Sequence, residues 1–263
     1  MYGKQIRMER IMDRKTGNAV IVPMDHGISV GPLEGLINMQ KAVDDVSIGG
    51  ATAVLMHKGL IRYSHRMAGE DVGLILHLSA STDLGPTTNS KVLVATIDEA
   101  IKCGADAVSI HINFGSEDEP YMLESAGEIS RQCSEWGMPL LVMAYPRGPQ
   151  IKNQFDPDAI AHCARAAAEL GADVVKVSYT GDIDTFKEVC RGALAPVVIA
   201  GGPKMDSDMD ILNMVHDSMV AGGRGVSIGR NVFQNKNVPG ITKAISSIVL
   251  EGYSVEEAAK FLK

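Results

Sequence analysis

A chain of 263 residues, 45% hydrophobic and 22% charged, is long enough to bury a large core and has the make-up of a globular protein. Its net charge of -7 argues against non-specific nucleic-acid binding, while leaving room for a local basic pocket that takes a phosphate. No run approaches a membrane span and the first ten residues are too polar for a signal peptide, so a cytosolic location and no membrane partner are expected.

Short apolar runs rich in Val, Ile and Ala alternate along the chain with amphipathic stretches. The runs fall at 18–25, 51–57, 72–78, 106–112, 138–144, 172–178, 195–201 and 224–229. They lack clean polar alternation, as strands covered on both faces do. Helical patterns occupy 36–47, 97–103, 121–136, 157–170, 182–191, 207–221, 239–250 and 254–262. Asp156 before Pro157, and Ser254 with Glu257 three residues later, read as helix caps. The stretch 80–96 is irregular, and the polar segment 146–156 follows a strand as a loop able to close over a ligand. Eight such strands predict an α/β fold, a single (β/α)8 TIM barrel in which residues 1–263 form one domain.

A weak repeat supports the count. Gly49-Gly50-Ala51-Thr52, Gly104-Ala105-Asp106 and Gly171-Ala172-Asp173 each join a helix to the next strand, and Gly222-Gly223-Arg224-Gly225 varies the theme. Glycine suits the left-handed position at a helix C-terminus, and several copies in register are more than a common turn. Cys103, Cys133, Cys163 and Cys190 are widely separated, without a Cys-x-x-Cys pair, so neither a zinc site nor a disulfide framework is suggested.

Barrel enzymes place their chemistry at the C-terminal ends of strands. Those ends carry Asp25 and His26, His57 and Lys58, His77 and Ser79, His111 and Asn113, Tyr145 and Arg147, then Lys176, Ser178 and Thr180. Lys176 stands among β-branched residues, where desolvation disfavours an ammonium and favours the free amine that attacks a ketone. Its other reading is an edge lysine whose stem lies on apolar surface with its head in water. Lys176 shares a strand face with Val174 and Ser178, and Asp25 and Tyr145 are placed to move protons nearby. Tyr145 also reads as a rim aromatic and Asp25 as a helix cap. Ala200-Gly201-Gly202-Pro203-Lys204 and Ile228-Gly229-Arg230-Asn231 end the last two strands, where glycines let backbone N–H groups approach a phosphate and Arg230 or Lys204 adds charge. Glycine turns with surface cations are the alternative. His57, His77 and His111 offer a competing metal reading, without a His-x-His or His-Glu-x-x-His pattern behind it.

Val22-Pro23-Met24-Asp25-His26-Gly27, Tyr145-Pro146-Arg147-Gly148, Lys176-Val177-Ser178-Tyr179-Thr180-Gly181-Asp182, Ala200-Gly201-Gly202-Pro203-Lys204 and Gly229-Arg230-Asn231 occur in that order. On these motifs, over nearly its whole length, the chain resembles the archaeal class I aldolase family. The resemblance implies that Lys176 is a Schiff-base lysine, Tyr145 a proton donor and Asp25 a catalytic acid or base. It implies that Gly201, Gly202, Gly229 and Arg230 bind phosphate, while His26, Gly27, Ile28, Ser29 and Arg147 line the substrate site. The reaction implied is a transaldol transfer without metal or organic cofactor. Its donor is a sugar phosphate, 6-deoxy-5-ketofructose 1-phosphate, and its acceptor is L-aspartate semialdehyde, on a route to 3-dehydroquinate and aromatic amino acids. Fructose 1,6-bisphosphate cleavage is the alternative in the same class. A metal-dependent lyase and a non-catalytic sugar-phosphate-binding barrel are alternatives from other classes. The resemblance further implies a homo-oligomeric ring, a decamer being one such size. Lys58, Arg62, Lys152 and Lys204 stand open as partners for the acceptor carboxylate.

Overall fold

Strands that are apolar on both faces need cover on both faces, and closing the sheet on itself inside a ring of helices supplies it. In a computed structural model of the chain, which describes residues 2–64 and 71–263, eight parallel strands form a closed barrel in which each pairs with its neighbours in chain order. They are β1 (Ala19–Pro23), β2 (Ala53–Met56), β3 (Gly73–His77), β4 (Ala107–Phe114), β5 (Leu140–Pro146), β6 (Val174–Ser178), β7 (Val197–Ala200) and β8 (Gly225–Ser227). All eight runs read from the sequence are strands, with ends shifted by at most two residues.

The period of two divides the apolar residues into two cores. Ile21, Leu55, Ile75, Leu141, Met143, Val174 and Val198 point inward and fill the barrel. Their chain neighbours, among them Val20, Val54, Leu76, Val142, Val175 and Val197, point outward and join the helices in a larger cluster. Val174 is inward and Val175 outward, so the face of β6 that holds Lys176 is the interior face.

Beneath the barrel lies a helix, Tyr2–Ile11, that the sequence reading did not assign, because its Lys, Arg and Glu content hides the apolar stripe. Met8, Ile11 and Met12 close the interior core from below. The helix is fastened by the repeated turns. Asp106 accepts the Leu74 N–H at 2.9 Å and lies 3.4 Å from Arg10. Asp173 accepts the Leu140 N–H at 2.9 Å and pairs with Lys4 at 2.7 Å. Thr52 takes the same place in the first copy, accepting the Val20 N–H at 3.0 Å and donating to the Ile11 carbonyl at 2.7 Å. The preceding turn glycines, Gly104 and Gly171, have φ of 71° and 99°, as a left-handed helix end requires. The polar member of each turn thus stitches adjacent strands to each other and to the floor.

The expected caps are present. Asp156 accepts the Ala159 N–H at 3.0 Å, and Ser254 and Glu257 exchange bonds at 3.2 and 2.9 Å. The last expected helix is a short α-turn, Val255–Ala258, followed by a 3-10 turn, Ala259–Leu262. All four cysteines are free. Cys133 and Cys163 pack in the outer core, where burial pushes each thiol up to about 12. A small hairpin, Ser79–Ala80 against Val92–Leu93, brackets most of the irregular stretch 80–96 and stands above the β3 end. Among the described residues no helix is long and apolar enough to cross a membrane.

Asp173→Ala strips the Leu140 N–H of its acceptor and Lys4 of its partner, with an expected loss of about 1–3 kcal/mol. Lys4→Ala removes only a partly exposed ion pair and should cost less than about 1 kcal/mol. Urea denaturation followed by circular dichroism would expose the error if the two losses were equal.

Candidate active site

At the C-terminal ends of the strands lies a cavity of about 400 Å³. Lys176 reaches it from the interior face of β6 and is only 6% exposed. Asp25 enters from the segment after β1, and Tyr145 from the interior face of β5, two residues beyond Met143, the register partner of Lys176. His26, Ser29, Arg147, Gly201, Gly202, Gly229 and Arg230 complete the expected set around the same space. Gly27 and Ile28 do not line it. The helical turn Gly27–Val30 presents Ser29 and Val30 to the cavity and leaves Ile28 41% exposed at its outer side.

A buried polar cluster surrounds Asp25. His77 Nε2 lies 3.8 Å from its Oδ2, and His26 Nδ1 lies 3.5 Å from its Oδ1. His77 Nδ1 is 2.8 Å from Ser109 Oγ, while its ring meets His57 edge to face with centroids 5.1 Å apart. Burial disfavours the Asp25 carboxylate, but the cluster of His77, His26, Lys176 and His57 outweighs it and holds the acid down to about 2. Burial also drives His77 down to about 3, against the pull of Asp25, and lowers His26 and His57. At neutral pH Asp25 is therefore an anion among neutral imidazoles, with the Lys176 amine in its field.

His111 donates Nε2–H to Asn113 Oδ1 at 2.8 Å, since Asn113 spends its own amide on the Asn89 carbonyl at 2.8 Å. Burial holds His111 neutral, and its ring meets Tyr145 edge to face at 5.1 Å. His77 and His111 are thus engaged with Ser109 and Asn113, and His57 meets the His77 ring while its buried Nε2 has no hydrogen-bond partner. Among the described residues no group of three His, Cys, Asp or Glu side chains is arranged to hold a metal ion.

The β7 and β8 ends form one rigid lip. Asn231 donates Nδ2–H to the Gly201 and Pro203 carbonyls at 2.8 and 3.1 Å and accepts the Met205 N–H at 2.7 Å. Arg230 donates to the Gly202 carbonyl at 3.2 Å. Among the described residues the N–H groups of Gly201, Gly202 and Gly229 make no hydrogen bond. A Cβ on Gly229 would stand 2.6 Å from His26 Cε1, so the position admits only glycine without movement. Unbonded N–H groups beside a guanidinium are suited to a phosphate.

Several lining residues had no place in the sequence reading: Asp83, Asn89 and Lys91 above β3, Gln154 and Phe155 from the 146–156 loop, and Ser227, whose buried Oγ has no partner. Lys91 was hidden in the stretch 80–96, which reads as irregular. The four lysines and arginines held open for a carboxylate all lie outside the cavity lining. Lys58 pairs with Glu99 at 2.6 Å, Arg62 stacks on Tyr63, and Lys204 reaches the Gln234 carbonyl at 3.3 Å.

The model of the DeoC/LacD family aldolases matches residues 19–235. The 2-amino-3,7-dideoxy-D-threo-hept-6-ulosonate synthase 1 of Archaeoglobus fulgidus is 43% identical over 261 residues, 99% of this chain and 96% of that protein. The 2-amino-4,5-dihydroxy-6-oxo-7-(phosphonooxy)heptanoate synthase of Streptomyces griseus is 36% identical over 248 residues, 94% of this chain and 90% of that protein. Among solved structures, a Schiff-base-forming fructose-1,6-bisphosphate aldolase superposes with a TM-score of 0.85 at 31% identity, covering 94% of this chain and 99% of that one.

The histidine cluster predicts an acid-sensitive fold. Below about pH 6.5 the unfolded chain protonates His77, which the native chain keeps neutral down to about 3, so stability falls across that window. Asp25 acts in the opposite range: its contribution is complete above its ordinary value and is lost as pH falls through about 2. His77→Asn should flatten the fall of melting temperature between those limits, and an unchanged slope would contradict the assignment.

Proposed function

Because the chain belongs to the DeoC/LacD aldolase family, we propose that it makes 2-amino-3,7-dideoxy-D-threo-hept-6-ulosonate from 6-deoxy-5-ketofructose 1-phosphate and L-aspartate semialdehyde. It is an enzyme of the class I aldolase type. The observation that carries the reading is the convergence of a buried lysine, an anionic carboxylate and a tyrosine on one cavity whose lip offers free backbone N–H groups and a guanidinium.

In this reading Lys176 attacks the C5 ketone of the donor as the free amine and expels water to form an iminium. Deprotonation of the C3 hydroxyl breaks the C3–C4 bond. Hydroxypyruvaldehyde phosphate leaves, and the electron pair passes to the iminium, giving an enamine that retains three carbons. The enamine carbon then adds to the aldehyde of L-aspartate semialdehyde, the new alkoxide takes a proton, and water releases the seven-carbon product and the amine. Asp25 and Tyr145 are the groups at hand for the proton transfers. The β7 and β8 lip holds the donor phosphate, so that binding energy remote from the reacting carbons fixes the ketone against Lys176.

The likeness to a fructose-1,6-bisphosphate aldolase supports a second reading, cleavage of that sugar, on the same lysine and lip. The greater identity to the Archaeoglobus synthase favours transfer. We also propose a homo-oligomer, because Tyr2 (87% exposed) and Ile6 (62% exposed), one helical turn apart, present apolar surface on the outer side of the N-terminal helix.

Purified protein given both substrates should yield the seven-carbon amino sugar acid, identified by mass and NMR. Brisk cleavage of fructose 1,6-bisphosphate with no such product would move the assignment to the second reading. Lys176→Ala should lower product formation at least about a thousandfold, as loss of a covalent nucleophile does.

A further inference from the structure

The loop between β3 and β4 brings to the cavity a cation that the transfer chemistry leaves unused. Lys91 stands one residue beyond the Val92–Leu93 arm of the small hairpin, opposite Ser81 on the other arm. Its amine donates to Ser81 Oγ, which in turn donates to the Thr88 carbonyl at 2.8 Å. Two further N–H bonds of the ammonium remain to be met. Among the described residues neither Lys91 nor Arg147, the other cation on this side, has a carboxylate within ion-pair distance. Burial lowers the Lys91 ammonium below its ordinary value, and Arg147 adds to that effect, while Asp25 and Asp83 oppose it. An anion bound here would relieve both costs.

The loop is built to hold its position. Ser29 Oγ donates to the Ser81 carbonyl at 3.1 Å, and the Asp83 N–H donates to the Ser29 carbonyl at 2.9 Å, which ties the loop to the segment after β1. Asn113 Nδ2 donates to the Asn89 carbonyl at 2.8 Å, tying it to β4. Between these anchors Asp83 and Lys91 both line the cavity, opposite in sign and within each other's field, without forming an ion pair. A gap between an unpaired carboxylate and an unpaired ammonium matches an α-amino acid, whose own ammonium and carboxylate stand on one carbon. The β7 and β8 lip does not match it, because Gly201, Gly202, Gly229 and Arg230 offer N–H groups and a guanidinium but no carboxylate.

We propose that Lys91 and Asp83 form the subsite that reads the acceptor's α-amino-acid end, Lys91 taking its carboxylate and Asp83 its ammonium. This rests on the transfer reading above, and it makes Lys91 a specificity-determining residue. A charge-assisted bond to a carboxylate is worth roughly a factor of ten to a hundred in selectivity. The subsite acts on the aldehyde's identity and leaves the carbon–carbon bond chemistry to Lys176.

The experiment compares L-aspartate semialdehyde with propanal, an acceptor lacking both charged groups, at fixed ketose phosphate. In Lys91→Gln the ratio of kcat/KM for the semialdehyde to that for propanal should fall at least about tenfold, and Lys91→Arg should restore most of it. Turnover of propanal by the Gln variant reports that it is folded. Equal losses on both aldehydes, or no loss on either, overturn the subsite while leaving the transfer reading intact. Failure of the unaltered enzyme to use the semialdehyde, with propanal accepted, overturns both.

Discussion

Successive side chains of a strand face opposite ways, and a closed barrel turns that alternation into an allocation of space. Every second residue of β1 to β8 is committed to an interior that water does not fill. Along most of each strand the committed residues are Ala, Ile, Leu, Met or Val, and they pack as a core. Over the last turn of the interior they become Asp25, His77, His111, Tyr145 and Lys176. A lysine two residues beyond Val174 has no other direction in which to point. The floor of the active cavity is therefore the place where the apolar interior face changes to polar residues, and the segments after the strands supply its rim.

Such a cluster is costly unless its charges are few and its polar atoms are bonded. The barrel meets this by keeping the imidazoles neutral. His77 is held by Ser109 and His111 by Asn113, while His26 Nδ1 and His57 Nε2 are buried without a hydrogen-bond partner. The formal charge held near the floor is the Asp25 carboxylate, with the Lys176 side chain in its field. Among the described residues, partners are missing where a substrate belongs: the N–H groups of the lip and the Ser227 hydroxyl have none, Asp83 has no cation, and Lys91, bonded to Ser81, has no carboxylate. These unfilled valences lie on two sides of the mouth, one suited to phosphate and one to an amino acid.

The barrel was legible in the sequence because the β-branched runs and glycine turns repeat with the period of the fold, and eight copies correct one another. The strand-end residues followed from the same period, which is why Lys176, Asp25 and Tyr145 converge as expected. Gly27 and Ile28 stand outside the cavity lining because a helical turn, Gly27–Val30, follows β1 and presents Ser29 and Val30 to the cavity instead. The N-terminal helix was missed because its charges serve ion pairs with Asp106 and Asp173, contacts distant in sequence. Lys91 was missed for a related reason. Its significance comes from a hairpin two residues wide that folds it back over the β3 end, and nothing periodic marks so short an element.

The cavity holds two lysines, Lys176 on its floor and Lys91 at its rim, and the chemistry assigned to the chain depends on which of them becomes covalent. Borohydride reduction in the presence of the ketose phosphate, followed by peptide mass analysis, separates them by converting an iminium into a stable secondary amine. The expected result is a substrate-derived adduct on the peptide bearing Lys176 that is absent from Lys176→Ala. An adduct on Lys91, or none on either lysine while the enzyme turns over, would contradict the assignment of Lys176 as the nucleophile.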